Sequence, residues 1–134
     1  MLIQIDFASD LPIYRQLRDQ IVIGLATGQL EAGEELPSVR RLAADLGINL
    51  HTVHKAYQQL RDEGFLVLDR RSGAVMAKNI PDQPEFQNWL SRQLEPLVAE
   101  AICRKMSTND LQALVRTLDQ SMRQLKKDGE MQNE

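Results

Sequence analysis

The sequence predicts a mainly α-helical chain with a small β-hairpin, in which three N-terminal helices precede the hairpin and two helices follow it. Three observations lead to this prediction. Apolar side chains recur at three- and four-residue intervals through most of the chain. Two short helical segments are separated by a tight glycine turn. Two short β-prone segments with a polar turn between them come next.

The first helix is marked by Pro12, which we expect near the first helical position, where a missing N–H costs nothing. An apolar stripe follows at helical spacing, and Gly28 is expected to end the helix. Residues 2–7 are predicted as a short extended arm. Residues 29–37 contain glycine and proline and are read as a turn region.

The next two helices lie within residues 38–64. Ser38 and Asn49 are good N-caps, because their side-chain oxygens can accept a hydrogen bond from a free backbone N–H. Gly47 and Gly64 are suited to the helix ends. The segment therefore reads as helix, tight turn, helix.

A β-hairpin is predicted after the third helix. Its strands are residues 65–68 and 74–77, and its turn, residues 69–73, carries two adjacent arginines. Residues 79–84 contain two prolines and mark a linker.

Two helices are predicted after the linker. Pro96 is expected to kink or break the first of them. Ser107 or Thr108 can cap the second, Gly129 is expected to end it, and Lys126 and Lys127 would then lie in its last turn. Their apolar stripes are too wide for a core of two helices, so we predict that they pair two copies of the chain. The residues expected at that interface are Phe86, Trp89, Leu90, Leu94, Leu97, Leu111, Leu114, Leu118 and Met122.

The composition excludes several classes of protein. The chain has 134 residues, of which 43% are hydrophobic and 26% charged, as in ordinary globular proteins. No apolar run approaches the roughly 18 residues of a membrane span, and the first residues are unlike a signal peptide. A single cysteine, Cys103, excludes a disulfide framework and a cysteine-based zinc site. We therefore expect a cytoplasmic protein with no membrane partner.

Charge is distributed unevenly along the chain. Residues 36–79 carry seven basic and four acidic side chains, a net charge of +3, whereas residues 1–35 carry −4 and residues 80–134 carry −2. Phosphate binding depends on local basic surface rather than on the whole-chain charge. The middle segment is therefore the candidate for nucleic-acid contact, although charge alone leaves chance unevenness open.

The order of elements is that of a winged helix-turn-helix, expected over residues 1–79, with a helical dimerisation segment over residues 80–134. The second helix of such a pair enters the major groove of DNA, where base edges differ in their hydrogen-bonding groups. A basic hairpin beside it can contact the backbone or the minor groove. The exposed side of the third helix supplies the polar groups that this requires, namely those of Asn49, His51, Thr52, His54, Lys55, Gln58 and Gln59.

The sequence also resembles the DNA-binding domain of GntR-type bacterial transcription regulators over roughly residues 11–77. The resemblance is carried by residues 12–17 (PIYRQL), 28–43 (GQLEAGEELPSVRRLA), 46–49 (LGIN), 52–57 (TVHKAY) and 63–64 (EG). It is nearest to the YtrA-type branch, which has a short helical segment instead of a large effector-binding domain.

The resemblance implies roles for individual residues. Arg40 matches an arginine that contacts DNA in this family, and Asn49, His51 and Thr52 match the contacting start of the recognition helix. Gly73 matches the second glycine of the wing, but the first glycine and the following threonine of the family's wing are absent. The full set of expected DNA-binding residues is Arg40, Arg41, Asn49, His51, Thr52, His54, Lys55, Arg70, Arg71 and Gly73.

The chemistry of an enzyme is not evident in the sequence. We find no nucleophile–base pair, no paired carboxylates and no phosphate-binding glycine loop. His51 and His54 have a spacing that metal ligands use, but no acidic or cysteine partner stands near them, so we expect neither metal nor cofactor. Cys103 is read as a small apolar filler.

We therefore expect a transcription regulator, and a repressor in particular, that binds double-stranded DNA at a palindromic operator as a homodimer. Two recognition helices would read half-sites about one helical turn apart. Two alternatives stay open: a winged helix that only binds other proteins, and a sensor whose small-molecule effector occupies the dimer. The sequence does not name the operator, the effector or the regulated genes.

Overall fold

The protein is described by a computed structural model that covers residues 3–71 and 73–132. The described residues form two compact units. Residues 3–71, 73–80 and 125–132 belong to the first unit, and Pro81–Gln124 form the second. The elements in chain order are α1 (Ile13–Ala26), β1 (Glu35–Leu36), α2 (Val39–Leu46), α3 (Leu50–Asp62), β2 (Leu66–Asp69), β3 (Gly73–Met76), α4 (Phe86–Cys103) and α5 (Thr108–Gln132).

The core of the first unit lies between α1, α2, α3 and the sheet. The apolar stripes predicted for the three helices face this core, because residues three and four apart lie on one side of a helix. Each fully buried aliphatic or aromatic side chain contributes roughly 1.5–3 kcal/mol relative to an exposed one. The buried set is Leu17, Ile21, Leu30, Leu36, Leu42, Ala43, Val53, Ala56, Tyr57, Leu60, Leu66, Ala74 and Met76.

The start of α1 differs in detail from the prediction. Pro12 is the N-cap rather than the first helical residue, and its carbonyl accepts the N–H of Gln16 at 3.1 Å. Residues 3–6 contain no regular strand, and Leu2 lies outside the described residues. The segment is held by a side-chain amide instead. Gln16 accepts the N–H of Asp6 at 2.9 Å and donates to the Asp6 carbonyl at 3.0 Å.

The helix–turn–helix is confirmed with the caps that the sequence indicated. The Ser38 hydroxyl accepts the N–H of Arg41 at 3.2 Å, and the Asn49 side chain accepts the N–H of His51 at 2.7 Å. Gly47 ends α2 with a φ of +66°, a conformation that glycine adopts without a steric penalty.

The hairpin is confirmed, and the sheet contains one further strand. β2 and β3 pair antiparallel with Asp69 opposite Gly73. β1 pairs with the other edge of β3, with Glu35 opposite Val75, which gives the order β1-β3-β2. The interpretation of residues 29–37 as turn alone was therefore wrong. A two-residue strand is too short to show the alternation that identifies strands in a sequence.

Both C-terminal helices run further than predicted. α4 is continuous through Pro96, so the predicted break is wrong; Pro96 is exposed, and water can bond the carbonyl that a proline leaves unpaired. α5 continues past Gly129 to Gln132, so Lys126 and Lys127 do not lie in its last turn. Beyond Leu125 the helix belongs to the first unit, where a Cβ at Gly28 would lie only 3.2 Å from the Lys126 Cα.

Candidate nucleic-acid interface

The candidate reading surface is the side of α3 opposite the core. Val53, Ala56, Tyr57 and Leu60 fill the buried side. Successive residues in a helix are about 100° apart. The side opposite the core therefore contains His51 and, one turn later, His54 and Lys55. His51, His54 and Lys55 are exposed, and Thr52 is half-buried. We call this set, together with Asn49, the reading face.

The first turn of α2 carries two exposed arginines. Ser38 caps this helix end, and the helix dipole makes such an end favourable for an anion such as phosphate. The Arg41 Nε lies 3.8 Å from the Asp45 carboxylate, a loose contact between two exposed side chains. Arg40 is exposed and forms no ion pair with any residue in the described parts of the chain.

The hairpin turn carries two more arginines. Arg70 and Arg71 are exposed, and the Arg71 N–H donates to the Asp69 carboxylate at 3.0 Å. Gly73 has a φ of +73°. Arg70 and Gly73 line one shallow groove with Ser38 and Val39, so the turn lies next to the start of α2.

Tyr57 joins the reading helix to the segment before α2. Its hydroxyl donates a 2.7 Å hydrogen bond to the carbonyl oxygen of Pro37. Burial raises the pKa of Tyr57 above its ordinary value, because a buried phenolate would lose its hydration. Tyr57 is buried in the core of the first unit, and nothing in the local sequence indicates this bond.

Arg18 on α1 holds the far end of α3. Its Nε and Nη2 donate to the two carboxylate oxygens of Glu63 at 3.0 and 2.9 Å. Its Nη1 donates to Asp19 at 2.9 Å, and its guanidinium lies 5.8 Å from the centre of the Phe65 ring. Burial lowers the pKa of Arg18, but the bonds to Glu63 and Asp19 outweigh it and raise the pKa overall. Sequence reasoning missed this cluster.

A second aromatic contact involves the reading face itself. The Lys55 ammonium lies 4.0 Å from the centre of the Tyr14 ring on α1. Lys55 is one of the expected DNA-binding residues, and it follows Tyr14 by 41 positions in the chain. Nothing in the local pattern joins the two.

The second unit presents apolar side chains without burying them. None of residues 81–124 is buried. Phe86 and Trp89 stack on one another with ring centres 5.5 Å apart. Most of the predicted interface residues are exposed, and Leu111 and Met122 are half-buried. The exposed ones are Phe86, Trp89, Leu90, Leu94, Leu97, Leu114 and Leu118.

Within residues 3–71 and 73–132, no three histidine, cysteine, aspartate or glutamate side chains are grouped so that they could hold a metal ion. No helix in that part of the chain combines the length and apolar character that a membrane crossing requires.

Comparison with known proteins gives consistent matches. The family model described as "Bacterial regulatory proteins, gntR family" matches residues 13–76. The HTH-type transcriptional repressor YtrA of Bacillus subtilis (strain 168) is 34% identical over 102 residues, which are 75% of this chain and 78% of that protein.

Solved structures agree with this relationship. YtrA from Sulfolobus acidocaldarius, a GntR-family transcription factor, is 39% identical with a TM-score of 0.63 and covers 74% of this chain and 99% of its own. AraR(DBD) in complex with operator ORX1 is 23% identical with a TM-score of 0.52 and covers 57% of this chain and 99% of its own. At that identity the AraR likeness shows a shared fold alone.

Proposed function

Because the chain belongs to the gntR family of bacterial regulatory proteins, which are transcription regulators with a DNA-binding domain and not enzymes, we propose that it represses transcription as a homodimer bound to a palindromic operator. In this proposal residues 1–79 supply DNA binding and residues 80–134 supply dimerisation. The last turns of α5 are the exception, since they pack within the first unit.

One observation carries the DNA-binding proposal. The reading face is polar and, apart from half-buried Thr52, exposed, whereas the other side of α3 is part of the core. Arg40 is exposed on α2, and Arg70 and Arg71 are exposed on the hairpin turn, which lies next to the start of α2. Such cations attract phosphates and orient the protein, and polar groups on the helix then read base edges. AraR(DBD), which shares this fold, was solved bound to an operator, and this supports the same role for the fold here.

Dimerisation is supported by the second unit. A unit of 44 residues without one buried residue has no hydrophobic core of its own. A groove along α4, lined by Leu90, Leu94, Val98 and Ile102, stays open to solvent. Exposed apolar surface of this extent marks an interaction site. A second copy of the chain offers the same face, as a two-fold interface requires.

Repression is proposed from the related YtrA of Bacillus subtilis, whose name describes a transcriptional repressor. The mechanism needs only occupancy of a promoter by the dimer, and it needs no contact with the polymerase.

Selection of bound duplexes from a random pool tests DNA binding. The full chain should enrich a palindrome. Arg40→Ala should lose that enrichment, because it removes a cation that no described carboxylate neutralises. Arg61→Ala is the matched control, since Arg61 also lies in the helix-turn-helix but pairs with Asp62 at 3.1 Å. If the wild type enriches no palindrome and binds every duplex equally, the proposal of an operator is wrong.

Sedimentation tests the dimer separately. Leu94→Glu places a charge in the middle of the α4 groove and should give monomers. Gln93→Glu adds the same charge beside the groove without removing an apolar side chain, and it should stay dimeric. A wild type that is monomeric at micromolar concentration, or a dimer unaffected by Leu94→Glu, would contradict this interface.

A further inference from the structure

The cation–aromatic contact between Lys55 and Tyr14 joins the reading face to α1. The ammonium lies 4.0 Å from the ring centre, well inside the roughly 6 Å over which a cation is attracted to an aromatic face. Lys55 is exposed and Tyr14 is half-buried. No carboxylate of the described residues forms an ion pair with Lys55.

The Tyr14 side chain packs against the core that α1 shares with α3. Tyr14 lies in the first turn of α1, and Arg18 follows one turn later. Arg18 binds Glu63 through two hydrogen bonds, and Glu63 lies two turns beyond Lys55 at the end of α3. This ion pair adds to the apolar core that α1 and α3 share, and Tyr14 itself packs against that core. The ring is a fixed platform beside the reading face.

An aromatic ring and a carboxylate have different effects on a lysine side chain that they contact. A carboxylate would hold the ammonium but would also neutralise it. The ring restricts the flexible lysine chain and leaves the full positive charge available to an anion. A free lysine side chain samples many rotamers, so a side chain that is already restrained loses less entropy when it binds a phosphate oxygen.

We propose that Tyr14 is a positioning residue that holds the Lys55 ammonium at the edge of the reading face, where it contacts a phosphate of the bound duplex. This inference rests on the proposed DNA binding. It assigns Lys55 to the phosphate backbone rather than to a base edge.

A double-mutant cycle on the full chain tests it. The four proteins are the wild type, Lys55→Gln, Tyr14→Leu and the double variant, with affinity for duplex DNA measured over a series of salt concentrations. Removing one phosphate contact lowers the salt slope by about 0.9, so Lys55→Gln should lower it by about 1.8 when each subunit of a dimer contributes one contact. Tyr14→Leu should weaken binding about two- to fivefold per subunit.

The coupling between the two changes is the decisive result. In the Lys55→Gln background, Tyr14→Leu should have no further effect on affinity, because the charge that the ring holds is gone. Tyr14→Phe keeps the ring and should keep the coupling. Arg61→Gln, which removes a charge from the same helix away from Tyr14, should show no coupling with Tyr14→Leu.

Two outcomes would overturn the inference: equal losses from Tyr14→Leu in both backgrounds, which would show a structural effect alone, and an unchanged salt slope in Lys55→Gln. Random-sequence duplex should give the same coupling as an operator, because a phosphate contact does not depend on sequence. Failure to select a palindrome therefore concerns the proposed operator, whereas loss of coupling on either duplex concerns Tyr14.

Discussion

The hydroxyl of Tyr57 and the carbonyl oxygen of Pro37 are joined by a 2.7 Å hydrogen bond. Tyr57 lies on the buried side of α3. Pro37 directly follows β1 and precedes Ser38, the cap of α2. This bond therefore connects the reading helix with the start of the helix that carries Arg40, and it does so next to the edge strand of the sheet.

Replacement of Tyr57 by phenylalanine should lower the free energy of unfolding by about 1–2 kcal/mol, because the Pro37 carbonyl loses its partner in a partly buried site. Urea denaturation measures this. Tyr14→Phe is the matched control, since the Tyr14 hydroxyl bonds to no residue in the described parts of the chain, and it should change stability by less than about 0.5 kcal/mol. Equal effects of the two substitutions would show that the bond adds nothing.

Stability should also fall at alkaline pH because of Tyr57. Burial raises the pKa of its phenol in the folded state, whereas the unfolded chain has a tyrosine pKa of about 10. The folded state therefore binds this proton more tightly, and the stabilisation is complete below the unfolded pKa and declines as pH rises above it. Urea denaturation at several pH values above about 10 should show the decline in the wild type. Parallel declines in Tyr57→Phe would contradict the assignment.

Gly28 should tolerate a side chain less well than Gly47. Both have a positive φ, +81° and +66°, so alanine at either costs roughly 1 kcal/mol from backbone strain. Only at Gly28 would the new Cβ meet backbone, 3.2 Å from the Lys126 Cα, while Gly47 has open space. Gly28→Ala should therefore cost about 1 kcal/mol more than Gly47→Ala in thermal or urea unfolding. Equal losses of stability in the two variants would mean that the backbone at Lys126 does not restrict a side chain at Gly28.

The cap of α2 gives a further test. Ser38→Ala should destabilise the chain by about 1 kcal/mol, because the Arg41 N–H loses the hydroxyl that satisfies it. Ser38→Gly should cost only a few tenths of a kcal/mol. Ser91→Ala, at an exposed serine inside α4, is the control and should be neutral. If Ser38→Ala is also neutral, the capping hydrogen bond does not contribute to the free energy of unfolding.

The two arginines of the hairpin turn should contribute to affinity without contributing to sequence choice. Replacing Arg70 and Arg71 by glutamine should weaken binding to an operator and to random duplex by the same factor. The salt slope should fall by about 0.9 for each phosphate that the variant no longer binds. Competition assays on both duplexes measure the factor. A loss confined to the operator would mean that the turn reads bases instead of the backbone.

Much of the fold could be predicted because its signals are local. Ser38, Gly47, Asn49 and Gly64 act within one helical turn of their own positions, so their residue types are sufficient to place the ends of α2 and α3. The end of α5 was predicted wrongly because a distant contact outweighs the local signal. Gly129 does not end α5, because the helix continues against Gly28.

The candidate site divides in the same way. The reading face follows from the helical period of α3 once Val53, Ala56, Tyr57 and Leu60 are assigned to the core. Two contacts with α1 involve α3: Tyr14 contacts Lys55, 41 residues later in the chain, and Arg18 binds Glu63, 45 residues later. No spacing rule connects them, because side chains on different helices meet only through the way those helices pack.

The sequence by itself determined the helices, the hairpin and the polar surface of α3, since apolar period and capping chemistry act over a few residues. Only the tertiary structure decided that β1 joins the sheet, that α4 passes through Pro96 unbroken, and that Tyr14 lies under Lys55. The strand pairing and the Tyr14 contact depend on which surfaces meet when the core closes, which burial of distant apolar residues sets. The helix passes Pro96 because water can bond the carbonyl that the proline leaves unpaired at an exposed position.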